Sequence, residues 1–386
     1  MIGAGSTPAE RDGTRVLQLL NAPRQDPSGV WGAYLLRVGM FAEGLRRRGC
    51  EVEQVHVCDL KSPARPVLAK LLGYKHLRHL AAGYDAIHAA GATPAAVAAL
   101  AVRGTQVRLI YDVHGDAAME NWLMWQYTHQ RSYIDQIFQQ ALMDLIAREK
   151  AHGLLVVSTP SYDRYIRCGI SPQRLLLARN GADLHLFNAL PFRPPDGVVR
   201  VCYSGSFVAW QGIRNLVRAC RLLMQRGWPG SLRLRVIGFT SENASVREEL
   251  SGVLGHRFEA VERVPYEEVP KVLTDADLMV IPRVPHPALR VAFPTKFGEY
   301  LACGRPVIVT DVDETADLVR RNGCGIVAEP NPSGLAAAFE QTAALPRQMI
   351  LEMGARARDL AERDFSWDTI AGRYYEFLMG VLGRKP

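Results

Sequence analysis

Short runs of apolar residues alternate with amphipathic stretches along almost the whole chain, and this alternation restricts the fold more than any other feature. In the first half, "RVLQLLN" (15–21), "EVEQVHV" (51–57), "YDAIHAA" (84–90), "VRLIYDV" (107–113) and "GLLVVS" (153–158) read as strands. Between them lie "AYLLRVGMFAEGLRRRG" (33–49), a helical pattern closed by glycine, and one long helical stretch from Met119 to Lys150. Strands this apolar, separated by helices, belong to a parallel sheet covered on both faces.

The pattern stops at "NALPFRPPDGV" (188–198), the one proline-dense gap, and then restarts. Strands are expected at "VRVCYSG" (199–205), "LRLRVIG" (232–238), near "FEAVERV" (258–264), at "DLMVIP" (277–282) and at "PVIVTD" (306–311). Helices are expected from Gln211, over "EEVPKVLTDA" (267–276) and from Pro294. The 386 residues are enough for two ordinary cores. The expectation is an α/β chain of two Rossmann-like doubly wound domains facing across a cleft. The first spans 1–188, a linker 189–198, the second 199–364, and a last helical piece, 365–386, packs back toward the first. Ligands of such sheets bind beyond the carboxyl ends of the strands, here in the cleft.

Composition narrows the class. Hydrophobic residues make up 48% and charged residues 22%, as in globular proteins. No apolar run reaches the ~20 residues of a membrane-spanning helix. The opening "MIGAGSTPAERDGTRV" lacks the apolar core of a secretion signal, so a cytoplasmic protein is expected. Seven cysteines (Cys50, Cys58, Cys168, Cys202, Cys220, Cys303 and Cys324) form neither a CxxC pair nor a metal-ligand spacing with histidine, which favours reduced thiols. Residues 1–195 hold 22 Lys/Arg against 16 Asp/Glu, and the remainder 24 against 23, so most of the net charge of +7 lies in the first half. Such an excess suits anionic membrane, nucleic acid or phosphorylated ligands without choosing among them.

Four places carry candidate chemistry. In "PSGVWGAYLL" (27–36) Gly29 and Gly32 allow close backbone approach ahead of a helix, as a ligand loop or a plain tight turn would. His114 in "YDVHG" ends a strand. In "YSGSFVAWQG" (203–212) Gly205 again sits where backbone would approach a neighbour, and Trp210 would cover a ligand or cap an apolar edge.

The fourth, "FPTKFGEYLACGRPVIV" (293–309), is the most informative. Pro294 suits a helix start, leaving the N–H groups of Thr295, Lys296 and Phe297 as an electropositive seat for phosphate. Lys296 adds a charge, and Glu299 one turn later is placed to accept from the vicinal hydroxyls of a ribose. The alternative is a local Lys–Glu pair worth only ~0.2–0.5 kcal/mol, too little to explain two charges in apolar surroundings.

These blocks resemble glycosyltransferase family 4, retaining enzymes of the GT-B fold. "KFGEYLACGRPVIVTD" is similar to the family's E-x-x-A-x-G-x-P-V-I block, and "GLRRRGCEV", "YDVHG", "LLVVSTPS", "LARNGADLHLF", "YSGSFVAWQGI" and "FSWDTIAGRY" follow in family order. The resemblance implies that Glu299 binds the ribose of a nucleotide sugar, that Gly32 belongs to the loop near diphosphate and acceptor, that His114 contacts the donor sugar, and that Gly205 ends the first strand of the donor domain. Three positions depart from the pattern: Val291 replaces the first acid of E-x7-E, Ser206 the phosphate-binding arginine and Gln211 the lysine. The expected compensation is Lys296 with the helix start at Thr295, Phe297 and Gly298, helped by Arg283 or Arg290, in the manner of a family branch with P-x-K-x-x-E-Y.

The implied activity is transfer of a sugar from a nucleotide-diphosphate sugar to a glycan, lipid-linked or small-molecule acceptor, with no cofactor and no metal. "DVD" (311–313) reads as a loop entering a helix and not as a metal site. For the acceptor the candidates are Trp31, Trp122 and Trp125. The basic amphipathic "KSPARPVLAKLLGYKHLRHLA" (61–81) and the aromatic-rich 119–134 suit peripheral contact with an anionic membrane at its inner face, or a solvated face and a packed helix start. No nucleic-acid partner is expected. An epimerase on the same architecture and a non-catalytic nucleotide-sugar-binding subunit are the rival readings.

Overall fold

A computed structural model describes residues 13–22, 32–57, 74–189 and 191–386. Trp31, Gly29, Cys58, residues 61–73 of the basic segment and Leu190 lie outside the described residues. The chain divides into two compact units, Met1–Arg179 with Asp368–Pro386, and Asn180–Trp367.

The first unit runs β1 (Arg15–Leu20), α1 (Gly32–Arg46), β2 (Glu51–His56), α2 (Tyr74–Ala81), β3 (Ala86–Ala90), α3 (Ala92–Ala101), β4 (Arg108–Val113), α4 (Ala117–Thr128), α5 (Ser132–Lys150), β5 (Gly153–Val156), α6 (Thr159–Arg167) and β6 (Leu175–Leu177). Its sheet has the order β2-β1-β3-β4-β5-β6, with every pair parallel. Five residues of β1 and all of β3 and β5 are buried, as strands covered on both faces must be. β6, only three residues long, gave no signal in the sequence. The expected single helix from Met119 to Lys150 is two. His129 adopts φ 54°, a left-handed conformation, and its N–H closes α4 on the carbonyl of Trp125.

The second unit runs β7 (Val199–Ser204), α7 (Ile213–Arg226), β8 (Leu232–Phe239), α8 (Ala244–Leu254), β9 (Phe258–Glu262), α9 (Val269–Leu273), β10 (Leu278–Ile281), α10 (Pro287–Val291), α11 (Thr295–Ala302), β11 (Val307–Thr310), α12 (Glu314–Asn322), β12 (Gly325–Ala328), α13 (Pro332–Ala344) and α14 (Arg347–Asp364). The strand order is β12-β11-β10-β7-β8-β9, again all parallel. β10 and β11 are wholly buried, and each Leu, Ile or Val so placed contributes about 1.5–3 kcal/mol.

The boundary falls at Arg179/Asn180, nine residues before the proline-dense gap marked in the sequence. The stretch after Arg179 is tied into the second unit: Asn180 Nδ2 donates to the carbonyl of Phe293 (2.8 Å), the Ala182 N–H to that of Phe365 (2.7 Å), and Phe187 packs on Tyr266. The last helix, α15 (Trp367–Leu382), belongs to the first unit from Asp368 onward, so Phe365 to Trp367 are the corrected part of the expected 365–386 segment. There Tyr374 meets Phe41 of α1 edge-on at 5.0 Å, and Gly44 of α1 lies so close to Ala371 that a Cβ on it would overlap.

Candidate donor site

Each unit gathers polar groups near the carboxyl ends of its central strands. In the second unit β7 ends at Ser204, whose N–H and carbonyl are both held by the Tyr300 hydroxyl of α11 (3.0 and 2.8 Å). The chain then turns at Gly205 with φ +140°, a conformation L side chains rarely adopt. A Cβ there would lie 2.5 Å from Lys296 Nζ, so glycine is what lets the lysine reach the strand end. Tyr203 donates to the carbonyl of Ser206, and Lys296 Nζ sits 4.4 Å from the centre of the Tyr203 ring and 3.4 Å from its hydroxyl.

Lys296 and Glu299 share the turn expected from sequence, yet the local pair does not form. Among the described residues Lys296 makes no ion pair with a carboxylate, and Glu299 instead accepts a hydrogen bond from Tyr266 (3.0 Å). Lys296 is half-buried overall with its ammonium turned in over Tyr203. Burial, reinforced by the positive charge of Arg283 and opposed by Glu299, pulls its value down to about 7. Burial likewise raises the Glu299 carboxyl to about 7, against the Tyr266 hydrogen bond and Lys296. A cation without a carboxylate partner beside a carboxyl still able to accept hydrogen bonds is chemically suited to an anion that also carries hydroxyls.

Other expected residues have different parts. The N–H of Phe297 bonds the Pro294 carbonyl (3.2 Å), which leaves Thr295 and Lys296 as the N–H groups open for a ligand at the α11 start, and the Phe297 ring is buried among Phe293 and Phe365. Gly298 allows close approach of the Gly181–Ala182 backbone, which is a packing role. Arg283, buried, forms an ion pair with Asp313, so its charge is largely neutralised; Arg290 on α10 is exposed. Gln211 lies in the turn before α7 with a buried Oε1 that lacks a hydrogen-bond partner. In "DVD", Asp313 caps α12 and Asp311 pairs with Arg320. Among the described residues no group of three or more His, Cys, Asp or Glu is placed to hold a metal ion.

In the first unit His114 follows β4, its ring stacked on Tyr34 of α1 (4.7 Å) and its Nε2 3.2 Å from Asp112 Oδ2, close enough for an ion pair but off the line of a hydrogen bond. Asp112 is fully buried and is gripped by Arg37 of α1 through Nε (3.1 and 3.0 Å) and Nη2 (2.8 Å). Arg37 holds the carboxyl well below the usual carboxylate range despite its burial. His88 Nε2 lies 3.4 Å from the same carboxylate, and burial lowers its value so that it stays neutral. Gly32 opens α1 exposed, with open space where a Cβ would stand, so no neighbour in the protein demands glycine there. Trp122 and Trp125 lie on α4, neither buried.

Asp112, Arg37 and Tyr266 escaped the sequence reading. The "DxH" spacing was the available signal for Asp112; Arg37 and Tyr266 meet their partners across 75 and 33 residues, which no spacing reveals.

Comparison with known proteins defines the class. The Glycosyltransferase Family 4 model matches residues 37–186, and the Glycosyl transferases group 1 model residues 199–344. Sucrose-phosphate synthase from Thermosynechococcus elongatus shares the fold with a TM-score of 0.74 at 18% identity, over 95% of this chain and 99% of that one. HepE of Anabaena, solved with UDP, gives 0.69 at 17% identity, over 95% and 100%. A protein of Escherichia coli (strain K12) named for glycosyl transfer in colanic acid biosynthesis is 24% identical over 223 residues, 56% of this chain and 54% of that one. This chain thus spans about half the length of the curated relatives it matches.

The protein is a glycosyltransferase family 4-like protein with the GT-B fold. The matches favour neither the epimerase nor the binding-subunit reading.

Proposed function

We propose that the protein transfers a sugar, with retention at the anomeric carbon, from a nucleotide-diphosphate sugar to a hydroxyl of a glycan, lipid-linked or small-molecule acceptor. The single observation that carries the reading is Lys296: an ammonium with no carboxylate pair among the described residues, admitted to the end of β7 by Gly205, one turn from a buried carboxyl. In this reading Lys296 and the N–H groups of Thr295 and Lys296 hold the diphosphate, and Glu299 accepts from the ribose hydroxyls. Gln211 Oε1, buried and without a hydrogen-bond partner among the described residues, adds an acceptor in the turn that follows β7. For His114 the proposal is the role the resemblance implies, contact with the transferred sugar.

Catalysis then consists of positioning and charge stabilisation. As the bond from the anomeric carbon to the diphosphate oxygen breaks, the acceptor oxygen bonds to that carbon on the same face. The acceptor's proton passes to the departing phosphate, whose growing negative charge Lys296 offsets. Neither metal nor cofactor enters this scheme, and activity is expected to persist in EDTA; loss that magnesium restores would overturn that part.

The Anabaena neighbour has been solved with UDP and with UDP-glucose, which supports a nucleotide-sugar donor and makes UDP-sugars the first to try. Thermal-shift measurements against UDP-, GDP-, ADP- and TDP-sugars, followed by product analysis with and without acceptor, test the assignment. Transfer or slow hydrolysis of one donor is expected; conversion of a sugar nucleotide to its epimer without acceptor would support the rival enzyme class. Among the described residues no helix is long and apolar enough to cross a membrane. We place the protein in the cytoplasm, in peripheral contact with the inner face of the membrane.

A further inference from the structure

Four of the five large apolar residues exposed on the described surface lie on one helical hairpin. Tyr127 of α4 is 52% exposed, and Phe138, Leu142 and Leu145 of α5 are 73%, 50% and 45% exposed. The last three fall at i, i+4 and i+7, one stripe along the helix. α4 adds Met119, Trp122, Met124 and Trp125, and its only buried residue is Leu123. α5 turns Met143 and Ala147 to the core, so its apolar stripe is surplus to packing. Single exposed apolar side chains need no explanation, whereas a contiguous set rich in Trp, Tyr and Met does.

The same layer carries a basic element. α2 packs against α3, and α3 against α5, so the three helices cover one face of the first sheet. α2 exposes Lys75, His76, Arg78 and His79 and contains no acid. Asp135 and Glu149 of α5 flank the apolar stripe and are balanced by Lys150 and by Arg131 at the helix cap, while Asp144 pairs with Arg148 (3.8 Å). Summed over each unit, the first holds 24 Lys/Arg against 17 Asp/Glu, and the second 22 against 22, so the whole net charge of +7 belongs to the unit that bears the hairpin.

We propose that the α4–α5 hairpin and the basic face of α2 form a docking surface for an anionic lipid bilayer. Phe138, Leu142, Leu145 and Tyr127 enter the headgroup boundary, where Trp and Tyr rings are also at home. Lys75 and Arg78 supply the attraction to acidic headgroups, each worth roughly a fivefold gain in partitioning near the surface. This surface deepens the membrane contact proposed above but does not depend on the donor residues Lys296 and Glu299, which belong to the second unit.

The test is flotation of the full chain with vesicles of phosphatidylcholine alone or of equal parts phosphatidylcholine and phosphatidylglycerol. Binding to the mixed vesicles, lost in high salt and at least about tenfold weaker on phosphatidylcholine, is expected. Phe138→Ser with Leu142→Ser, and separately Lys75→Gln with Arg78→Gln, should each reduce binding about tenfold or more. All four side chains are exposed, and because Arg78 also donates to the Arg103 carbonyl (2.7 Å), circular dichroism is used to confirm that each variant stays folded. Absence of binding to mixed vesicles, or variants that bind like the parent, overturns the proposal. So does light scattering that finds a dimer which Phe138→Ser with Leu142→Ser converts to monomer while vesicle binding is unchanged, since the face would then serve a second copy of the chain.

Discussion

Binding of a nucleoside diphosphate should move protons, in a direction set by pH. Burial brings Lys296 down and Glu299 up to about 7 in the free protein. At pH 8 only about one-tenth of Lys296 carries its proton. A diphosphate that requires the ammonium therefore draws in about 0.9 proton, while Glu299, already about nine-tenths ionised, releases about 0.1 on pairing with the ribose. Net uptake of about 0.8 proton is expected at pH 8. At pH 6 the balance inverts, because Lys296 is already charged and Glu299 must lose its proton; net release of about 0.8 follows. Affinity should peak near pH 7 and weaken about tenfold per unit well to either side. Calorimetric titration in two buffers of different ionisation enthalpy, with the diphosphate that best raises the melting temperature, reads the proton count directly. Uptake at pH 8 and release at pH 6 are expected. A count near zero at both, or a dissociation constant flat across this range, would refute the assignment of these two groups to the ligand.

The same groups act on the free protein. Between 4.5 and about 7 the folded state holds the Glu299 proton that the unfolded chain loses, so this contribution falls as pH rises. Between about 7 and 10.5 the unfolded chain holds the Lys296 proton, so that contribution rises; Lys296→Met with Glu299→Gln should remove a dip in melting temperature near neutrality. Tyr266→Phe deletes the donor that favours the Glu299 carboxylate, and the acid limb of the binding profile should move to higher pH. An unmoved limb would take Tyr266 out of the site. Asp112→Asn leaves Arg37 buried opposite a neutral amide; urea unfolding should show a loss of about 3–5 kcal/mol, and a loss under about 1 kcal/mol would contradict the grip described.

Much of the architecture was legible because strand and helix periodicities are local. Five of the six strands in each parallel sheet, the helix opening at Thr295 and the position of His114 at the end of β4 follow from residues adjacent in sequence, whereas the short edge strands β6 and β12 were not read. What stayed hidden is non-local or conformational. The Lys–Glu spacing left a local pair as the alternative to a ligand, and only the structure shows Tyr203 and Tyr266, 93 and 33 residues away, meeting the two groups separately. Nothing in "QYTHQRS" announces that His129 turns left-handed and splits a helix. The unit boundary at Arg179 was masked because residues 180–187 carry no proline or glycine run and declare their allegiance only through contacts to Phe293, Phe365 and Tyr266.

The most direct measurement is the dissociation constant of the donor's nucleoside diphosphate for the parent protein and for Lys296→Ala, taken at pH 7 with circular dichroism confirming the fold. If the ammonium beside Gly205 holds the diphosphate, losing one charge-assisted contact of about 1.5–3 kcal/mol weakens binding roughly ten- to a hundredfold. A change smaller than about threefold would mean that the diphosphate rests elsewhere.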